Sequence, residues 1–583
     1  MGNMQQNKST NNFSEIEAFA KDTDKLTSSL SDVMGKFNLK RNLKTFDALK
    51  SKGLAISSLV SILVILPFYG VSSVCAFIKS GIKESDIQGK KDAFYEAKNN
   101  EFIDWRSLLL LHAKRFRFLM FQNQSTIIKG VRAMIFDDTP IEKTGKKMEK
   151  LSGVHDHVSN LFIFGYKLLV CGFWDGGSFI PLDFSFHREK GSKAEAFSKI
   201  CLKAKNSLEK AKYKLKKYSD SLLKKELSLT NAASKYELNQ INTNKKKFDV
   251  ARISRDKVRG ELKRCEQALG AIQKEFKQAE KNLKQFYKKG KIFGLTTKER
   301  KEQYKKVVTA GSYGNIRRRE ADKTKINMMI EMLCRCVKHG FIPDYVLIDS
   351  WFFCFEILEK LSTLRNGAIK LVSMVKLNNQ KFFDCQANTE MPIKTILRRR
   401  EKDAKTCKEL KAKYIKVTCK YKGIRVNLFF VKMGRSENWH LLLTTDLTLS
   451  FVKLMRVYQI RWTIEVFFKE CKQYLNLGKS QSSCFDGQIA DTTVSMLQHI
   501  MLSYYKRINC QQSFGGLFKD ISNEMVEQDL VSRMKDIIWE LIEVICSIGG
   551  IDFIELQEQL MKDDKAATIF MKMLPERVLD KSA

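Results

Sequence analysis

The stretch Val131–Asp138, VRAMIFDD, is a short apolar run that stops on two carboxylates, and Tyr345–Asp349, YVLID, repeats the pattern. Apolar runs of this length, ended by polar residues, read as buried strands. Both place aspartate at the end of a strand. After the first, Leu161–Trp174 and Phe179–Phe186 are strand-like and are joined through Asp175, Gly176 and Gly177, a strong hairpin signal. An antiparallel meander is the economical reading.

The texture then changes. From about Lys193 to Lys289 the chain is Lys-rich with almost no Gly and no Pro, which predicts a long helical hairpin or coiled coil inserted into the fold. Its charges read as a solvated face, with a basic arm lying along DNA as the alternative. A helix over about Lys323–His339 leads into the second aspartate strand. Residues 368–445 mix β-branched, aromatic and charged residues, notably in Ile415–Val417, Val426–Val431 and Leu441–Thr445, and predict a small β-rich subdomain. From Phe451 the periodicity is helical nearly to the end, apart from loops around Gly478–Gly487 and Gly549–Ile551. This predicts a helical cap or dimerisation region.

At the other end, Gly53–Ile78 carries no charge and is long enough to cross a bilayer. Pro67, Gly70 and five serines interrupt it, so two buried helices are expected in place of a span. Residues 90–125 read as amphipathic helix, with Phe94, Trp105, Leu108–Leu111 and Phe116 among Lys and Arg. Without a helix-turn-helix signature, a DNA-binding domain and the basic face of an ordinary bundle both remain open.

Composition sets the partner class. The 583 residues include 103 Lys and Arg against 65 Asp and Glu, a formal charge of +38. Counterion release makes nucleic acid the natural partner of such an excess, with an anionic membrane as competitor. Only 6 prolines and 44% hydrophobic residues favour several globular domains over disorder. The 14 cysteines include no CxxC pair and no secretory leader opens the sequence, which predicts reduced thiols in the cytoplasm. Cys334, Cys336 and His339 lack a second ligand pair and read as packing. His155 and His157, flanking Asp156, read as structural hydrogen-bonding groups, since hard-cation chemistry does not need imidazole.

The chemistry concentrates in the helix expected over Phe451–Leu475. At about 100° per residue, Tyr458, Arg461, Glu465 and Lys472 lie near 0, 300, 340 and 320°, within an arc of roughly 60°. Val457, Ile460, Ile464, Phe467, Cys471 and Leu475 form a separate apolar stripe. The plain alternative is a surface helix with an Arg461–Glu465 pair four residues apart. Adding the strand-terminal aspartates gives three carboxylates, enough to hold two Mg²⁺ ions about 3.5–4 Å apart for phosphoryl transfer, with Mn²⁺ equally served by oxygen ligands.

The series Tyr458, Arg461, Glu465, Lys472 resembles the Y-(2)-R-(3)-E-(6)-K signature of insertion-sequence family four DDE transposases. FDDTPIEKTGKKMEKLSGVHDHVSN, from Phe136, is similar to that family's DDT region, and YVLIDSWF to its second-aspartate region. The resemblance implies an α/β fold with an RNase H-like core, a mixed sheet with flanking helices. It implies Asp138, the Asp directly before Thr139, with Asp349 and Glu465 as catalytic, metal-binding triad. Tyr458, Arg461 and Lys472 become ligands of phosphate at the transposon end. Asp137 is passed over. Trp439 lies near the place of a base-stacking aromatic but one residue off register, and reads as packing. The implied partner is double-stranded DNA, as transposon ends and target, bound by a homodimer in the synaptic complex of a nucleoid-associated, bacterial-type enzyme.

The domains expected are 1–125, helical and DNA-binding; 126–190 and 296–367, the split core; 191–295, the Lys-rich insertion; 368–447, the β-rich insertion; 448–510, the core helix; and 511–583, the helical C-terminus. The activity expected is in-line hydrolysis at the transposon end, followed by attack of the freed 3′-hydroxyl on target DNA. A nuclease without strand transfer and a non-catalytic membrane-tethered coiled coil are the competing readings.

Overall fold

The computed structural model describes residues 29–82, 91–123, 130–156, 161–188, 193–288, 295, 297–434, 436–510, 513–564 and 567. His157 lies outside them. The chain forms two compact units, one of residues 1–139, 167–187 and 304–583, the other of residues 140–166 and 188–303. The strands in chain order are β1 (Ala133–Glu142), β2 (Ser152–Asp156), β3 (Leu161–Trp174), β4 (Phe179–His187), β5 (Tyr345–Ile348), β6 (Lys370–Val375), β7 (Lys381–Asp384), β8 (Thr389–Pro392), β9 (Lys405–Cys407), β10 (Ala412–Tyr421), β11 (Ile424–Met433) and β12 (His440–Thr444).

In the first unit β3 and β4 form the expected hairpin, whose turn is held by Asp175 Oδ1 accepting from the Gly177 and Ser178 amides. The sheet runs β3, β1, β5, β6, β12, β11, β10, β7, β8, with β4 on β3 and β9 on β10. β1–β5 and β5–β6 are parallel, whereas β6–β12 is antiparallel. The β-rich segment expected as a separate subdomain is therefore continuous with the core sheet. β6 is itself a core strand, and β12 satisfies the hydrogen bonds of its outer edge.

The charge-free stretch folds as helices Ile56–Ile65 and Val74–Ile78, with Pro67 in a 3₁₀ turn and Gly70 left-handed at φ 70°. Leu59, Val60, Leu63 and Val64 are buried there, against helices Lys91–Lys98 and Phe485–Ile508. Among the described residues no helix is long and apolar enough to cross a membrane. Helix Phe485–Ile508 is buried along most of its length, packed on helix Trp105–Gln122 and β4.

A buried ionic cluster ties the helices to β4. Asp183, 1% exposed, accepts from Arg106 at 3.0 Å and Arg335 at 2.8 Å, while Arg317 lies 3.6 Å away and Glu320 takes Arg106 at 2.8 Å. Burial opposes its charge, but the three guanidiniums hold the Asp183 carboxyl well below the usual carboxylate range. Removing one partner from such a cluster typically costs about 3–5 kcal/mol.

In the second unit β2 pairs antiparallel with the first residues of β3, and the Tyr166 hydroxyl donates to the Glu149 carbonyl at 2.6 Å. Gly165 faces the Ile141 carbonyl so closely that a Cβ has no room. The helices Lys193–Leu238 and Asn242–Lys288 form the expected hairpin. Its turn is closed by Asn244 Nδ2 donating to the Asn239 carbonyl at 2.9 Å and by stacking of Tyr236 on Phe248.

Two histidines of the first unit are buried in neutral form. Burial pushes both His112 and His187 down to about 4. The unfolded chain takes up these protons near pH 6.5, the folded chain only near pH 4, so stability falls as pH drops through that window. We expect a loss of about 1.4 kcal/mol per pH unit per histidine between those limits. Urea titrations of wild type and a His112→Asn, His187→Asn double variant at pH 7.5 and 5 check this; equal pH slopes in the two proteins would refute it.

Candidate active site

β1 runs on to Glu142, so that Asp137 and Asp138 lie within the strand and not at its end as expected, whereas Asp349 follows the last residue of β5. The parallel register pairs Phe136 with Ile348, so the next residues along the two strands are Asp137 and Asp349. Alternation along β1 sends Asp137 and Thr139 to one face and Asp138 to the other. The two neighbouring aspartates consequently meet different partners.

On the first face, Arg461 Nη1 donates to Asp137 Oδ2 at 3.0 Å and Arg461 Nη2 to Glu465 Oε1 at 2.6 Å. Lys472 Nζ donates to Thr139 Oγ1 at 2.7 Å. The Arg461 guanidinium sits 5.8 Å from the Tyr458 ring centre. On the second face, Asp138 pairs with Lys325 and lies 3.7 Å from Lys167 Nζ, whose side chain is 5% exposed.

The helix expected over Phe451–Leu475 is two helices, Phe451–Gln459 and Trp462–Tyr474. The amides of Ile460, Arg461, Thr463 and Ile464 each bond three residues back, so the chain tightens through the junction while keeping helical dihedrals. A three-residue turn brings Arg461 over Tyr458 more directly than an uninterrupted helix. Val457, Ile464, Phe467 and Cys471 are buried as the apolar stripe requires, while Ile460 is only partly covered.

Of the residues anticipated, the structure joins Glu465 and Arg461 directly and sets Lys472 on Thr139 beside them. Asp349 and Tyr458 share this environment electrostatically. Burial drives the Asp137 carboxyl up to about 7, and the negative charges of Asp138 and Asp349 add to the rise that Arg461 opposes. Burial likewise drives Tyr458 up to about 12, with Asp349 and Asp137 raising it further. Asp138 is not brought to Glu465. The register of the two strands and the alternation along β1 set Asp137 on the face that carries Arg461.

Two further residues escaped the sequence reading. Trp351 and Trp462, 64% and 62% exposed, stand next to the second aspartate and to Arg461. Lys376 Nζ lies 3.7 Å from the Trp351 ring centre. Trp439 is partly buried and donates to Glu401 at 3.2 Å. The Cys336 thiol packs 3.8 Å from that of Cys171, consistent with packing.

A divalent cation needs hard oxygen donors, which Asp137, Asp138, Asp349 and Glu465 supply in kind. Among the described residues, however, no three His, Cys, Asp or Glu side chains converge closely enough to hold one. The positive charge between Asp137 and Glu465 is Arg461.

A sheet of this order with carboxylates neighbouring on adjacent parallel strands and on a packed helix forms a candidate phosphoryl-transfer site. Residues 285–497, somewhat over a third of the chain, match the model of a family described as "Transposase DDE domain". The match supports transposase function and an RNase H-like fold. It takes in Asp349, Tyr458, Arg461, Glu465 and Lys472 and begins after Asp137 and Asp138. A comparison with curated proteins finds no match.

The two aspartates respond oppositely to neutralisation. At pH 8 a buried, charge-crowded Asp137 is ionised at a cost absent from the unfolded chain, and that cost vanishes below about pH 4, where both states are protonated. Asp137→Asn should stabilise the protein at pH 8 by on the order of 1–3 kcal/mol. Asp138→Asn strips Lys167 of its counter-ion and should destabilise by a similar amount. Chemical denaturation of both variants at pH 8 decides this, and a destabilised Asp137→Asn would contradict the assigned electrostatics.

Proposed function

We propose that the chain is a DDE-type DNA transposase that cuts DNA at transposon ends and joins the freed 3′ ends to target DNA. The observation that carries the reading is the polar edge Tyr458–Arg461–Glu465–Lys472, set against β1 and lying within the matched segment. Its cations and carboxylates suit a phosphodiester and the charge that develops on it.

Asp349 and Glu465 are two of the carboxylates that would hold divalent cations, Mg²⁺ or Mn²⁺. The DDT motif selects Asp138 as the third, and the geometry favours Asp137, which shares Arg461 with Glu465. Such cations supply Lewis-acid stabilisation of the reacting phosphate when bound. Arg461 and Lys472 bind phosphate oxygens, Arg461 exchanging its carboxylate partners for the DNA backbone. Tyr458 stays protonated at neutral pH and donates a hydrogen bond to phosphate, so no covalent protein–DNA intermediate runs through it. Trp351 and Trp462 offer flat faces on which unpaired bases at the cut end stack. Two copies of the chain hold the paired ends, and the N-terminal helical region adds DNA contacts.

The test is cleavage and joining on duplex carrying the element's own ends, with Mg²⁺ and separately Mn²⁺. Glu465→Gln and Asp349→Asn should each reduce both products at least about 100-fold while duplex binding persists. Asp137→Asn and Asp138→Asn, run in parallel, identify the first carboxylate by which of them loses activity while remaining folded. Full activity in Glu465→Gln would end the site assignment. Cleavage without joining in wild type would make the protein a nuclease.

A further inference from the structure

The helical hairpin of the second unit takes no part in the proposed chemistry, and it precedes nearly all of the matched segment. On its first helix, Lys193–Leu238, the side chains sort into stripes at about 100° per residue. With Ile200 set at 0°, the seam toward the second helix lies near 0–80°. It is built from residues such as Ala204, Leu208, Ala211, Leu215, Tyr218 and Leu222, all partly covered.

A second stripe, at roughly 240–340°, carries Lys199, Lys203, Lys210, Lys214, Lys217 and Lys224. Lys225 and Lys235 continue it toward the turn. All eight ammonium-bearing residues are exposed. The other positions of the stripe are Asn206, Ser207, Ser221, Ser228 and Ala232. No carboxylate falls within it, because Glu209, Asp220, Glu226 and Glu237 all lie on other sides of the helix. Among the described residues none of the eight lysines is in an ion pair. The second helix differs, since its arginines are interleaved with acids, as in Arg252–Asp249, Arg255–Asp256 and Arg264–Glu261.

Such segregation costs stability in the isolated chain. Lys199 and Lys203, Lys210 and Lys214, and Lys214 and Lys217 stand three or four residues apart, spacings at which like charges repel. A merely solvated face mixes signs and avoids that cost; a polyanion repays it. Lys203, Lys210, Lys217 and Lys224 recur every seventh residue, about 10.5 Å apart, and the whole stripe extends about 54 Å. That exceeds one turn of B-DNA, about 34 Å. A membrane-surface helix needs large apolar side chains between its lysines, and this stripe has none larger than Ala232.

We propose that this lysine stripe is a sequence-independent binding surface for the phosphate backbone of duplex DNA, separate from the catalytic site. The transposase reading enters only in naming the duplex as DNA.

The experiment uses the full chain, mixed-sequence duplex and EDTA, so that binding is measured without cleavage. Lys203, Lys210 and Lys217 are replaced together by Gln, and a control replaces Lys205, Lys212 and Lys216, which carry the same charge outside the stripe. The slope of log affinity against log salt should flatten by about 2–3 in the stripe variant, and affinity at 0.1 M salt should fall on the order of 100-fold. The control should change little, and circular dichroism should be the same for all proteins. Equal losses in both variants would reduce the effect to bulk charge and overturn the proposal, as would no loss in either. Loss of binding to anionic phosphatidylserine vesicles with duplex binding intact would transfer the surface to a membrane. Inactivity of the wild-type protein toward transposon ends with Mg²⁺, with the stripe effect intact, would overturn the catalytic reading alone.

Discussion

Asp183 is the charge on which the first unit is assembled. It sits in β4 with almost no exposure, and its three arginines come from three helices, Trp105–Gln122, Tyr313–Glu320 and Lys325–Lys338. A buried carboxylate is tolerable only if its desolvation is offset by well-placed donors. Arg317 is buried and Arg106 nearly so, Arg335 is partly exposed, and Glu320 supplies a second acceptor for Arg106 and Arg317. The cluster therefore specifies how these helices lie on the sheet, where apolar contact alone tolerates sliding.

The candidate site is the opposite electrostatic case. Around Asp183 positive charge exceeds negative and the carboxyl is held down. Around Asp137 burial outweighs the attraction of Arg461, and with Asp138 and Asp349 adding to the rise its proton is held up to about 7. One guanidinium serves both Asp137 and Glu465, and its Nε is buried without a hydrogen-bond partner. A buried carboxyl whose proton is held up to about 7 is one whose charged form a further cation would stabilise. The stability given up there is small beside what the Asp183 cluster and the apolar core supply.

Strands, helices and their order were legible because each has a period: the β3–β4 hairpin with its Asp-Gly-Gly turn, the long helical hairpin, and the strand before Asp349; the strand through Asp137 and Asp138 was read too short, since its continuation to Glu142 lacks the apolar run. The helix spanning Tyr458 to Lys472 was legible as a polar edge but not as two helices, since the tightening at Ile460–Arg461 alters hydrogen bonding without altering composition. Continuity of the β-rich segment with the core was not legible, because sheet neighbours are set by pairing across long separations. The same limit hid Asp183, whose partners are 77 to 152 residues away. Motif spacing points to Asp138, whereas strand alternation and register place Asp137 beside Arg461.

The long hairpin explains why the site is hard to see as one piece. It leaves the chain after β4 and returns before β5, and an antiparallel helical hairpin brings its ends back together whatever its length, so it can grow without disturbing the sheet. It makes up nearly half of the more than two hundred residues that separate Asp137 and Asp138 from Asp349 in sequence. The parallel pairing of β1 with β5 restores their proximity. The family match begins at residue 285, in the last turn of the hairpin, and takes in the second aspartate and the glutamate without the first. The sheet sets Asp137 next to Asp349, through pairing of strands that the sequence keeps far apart.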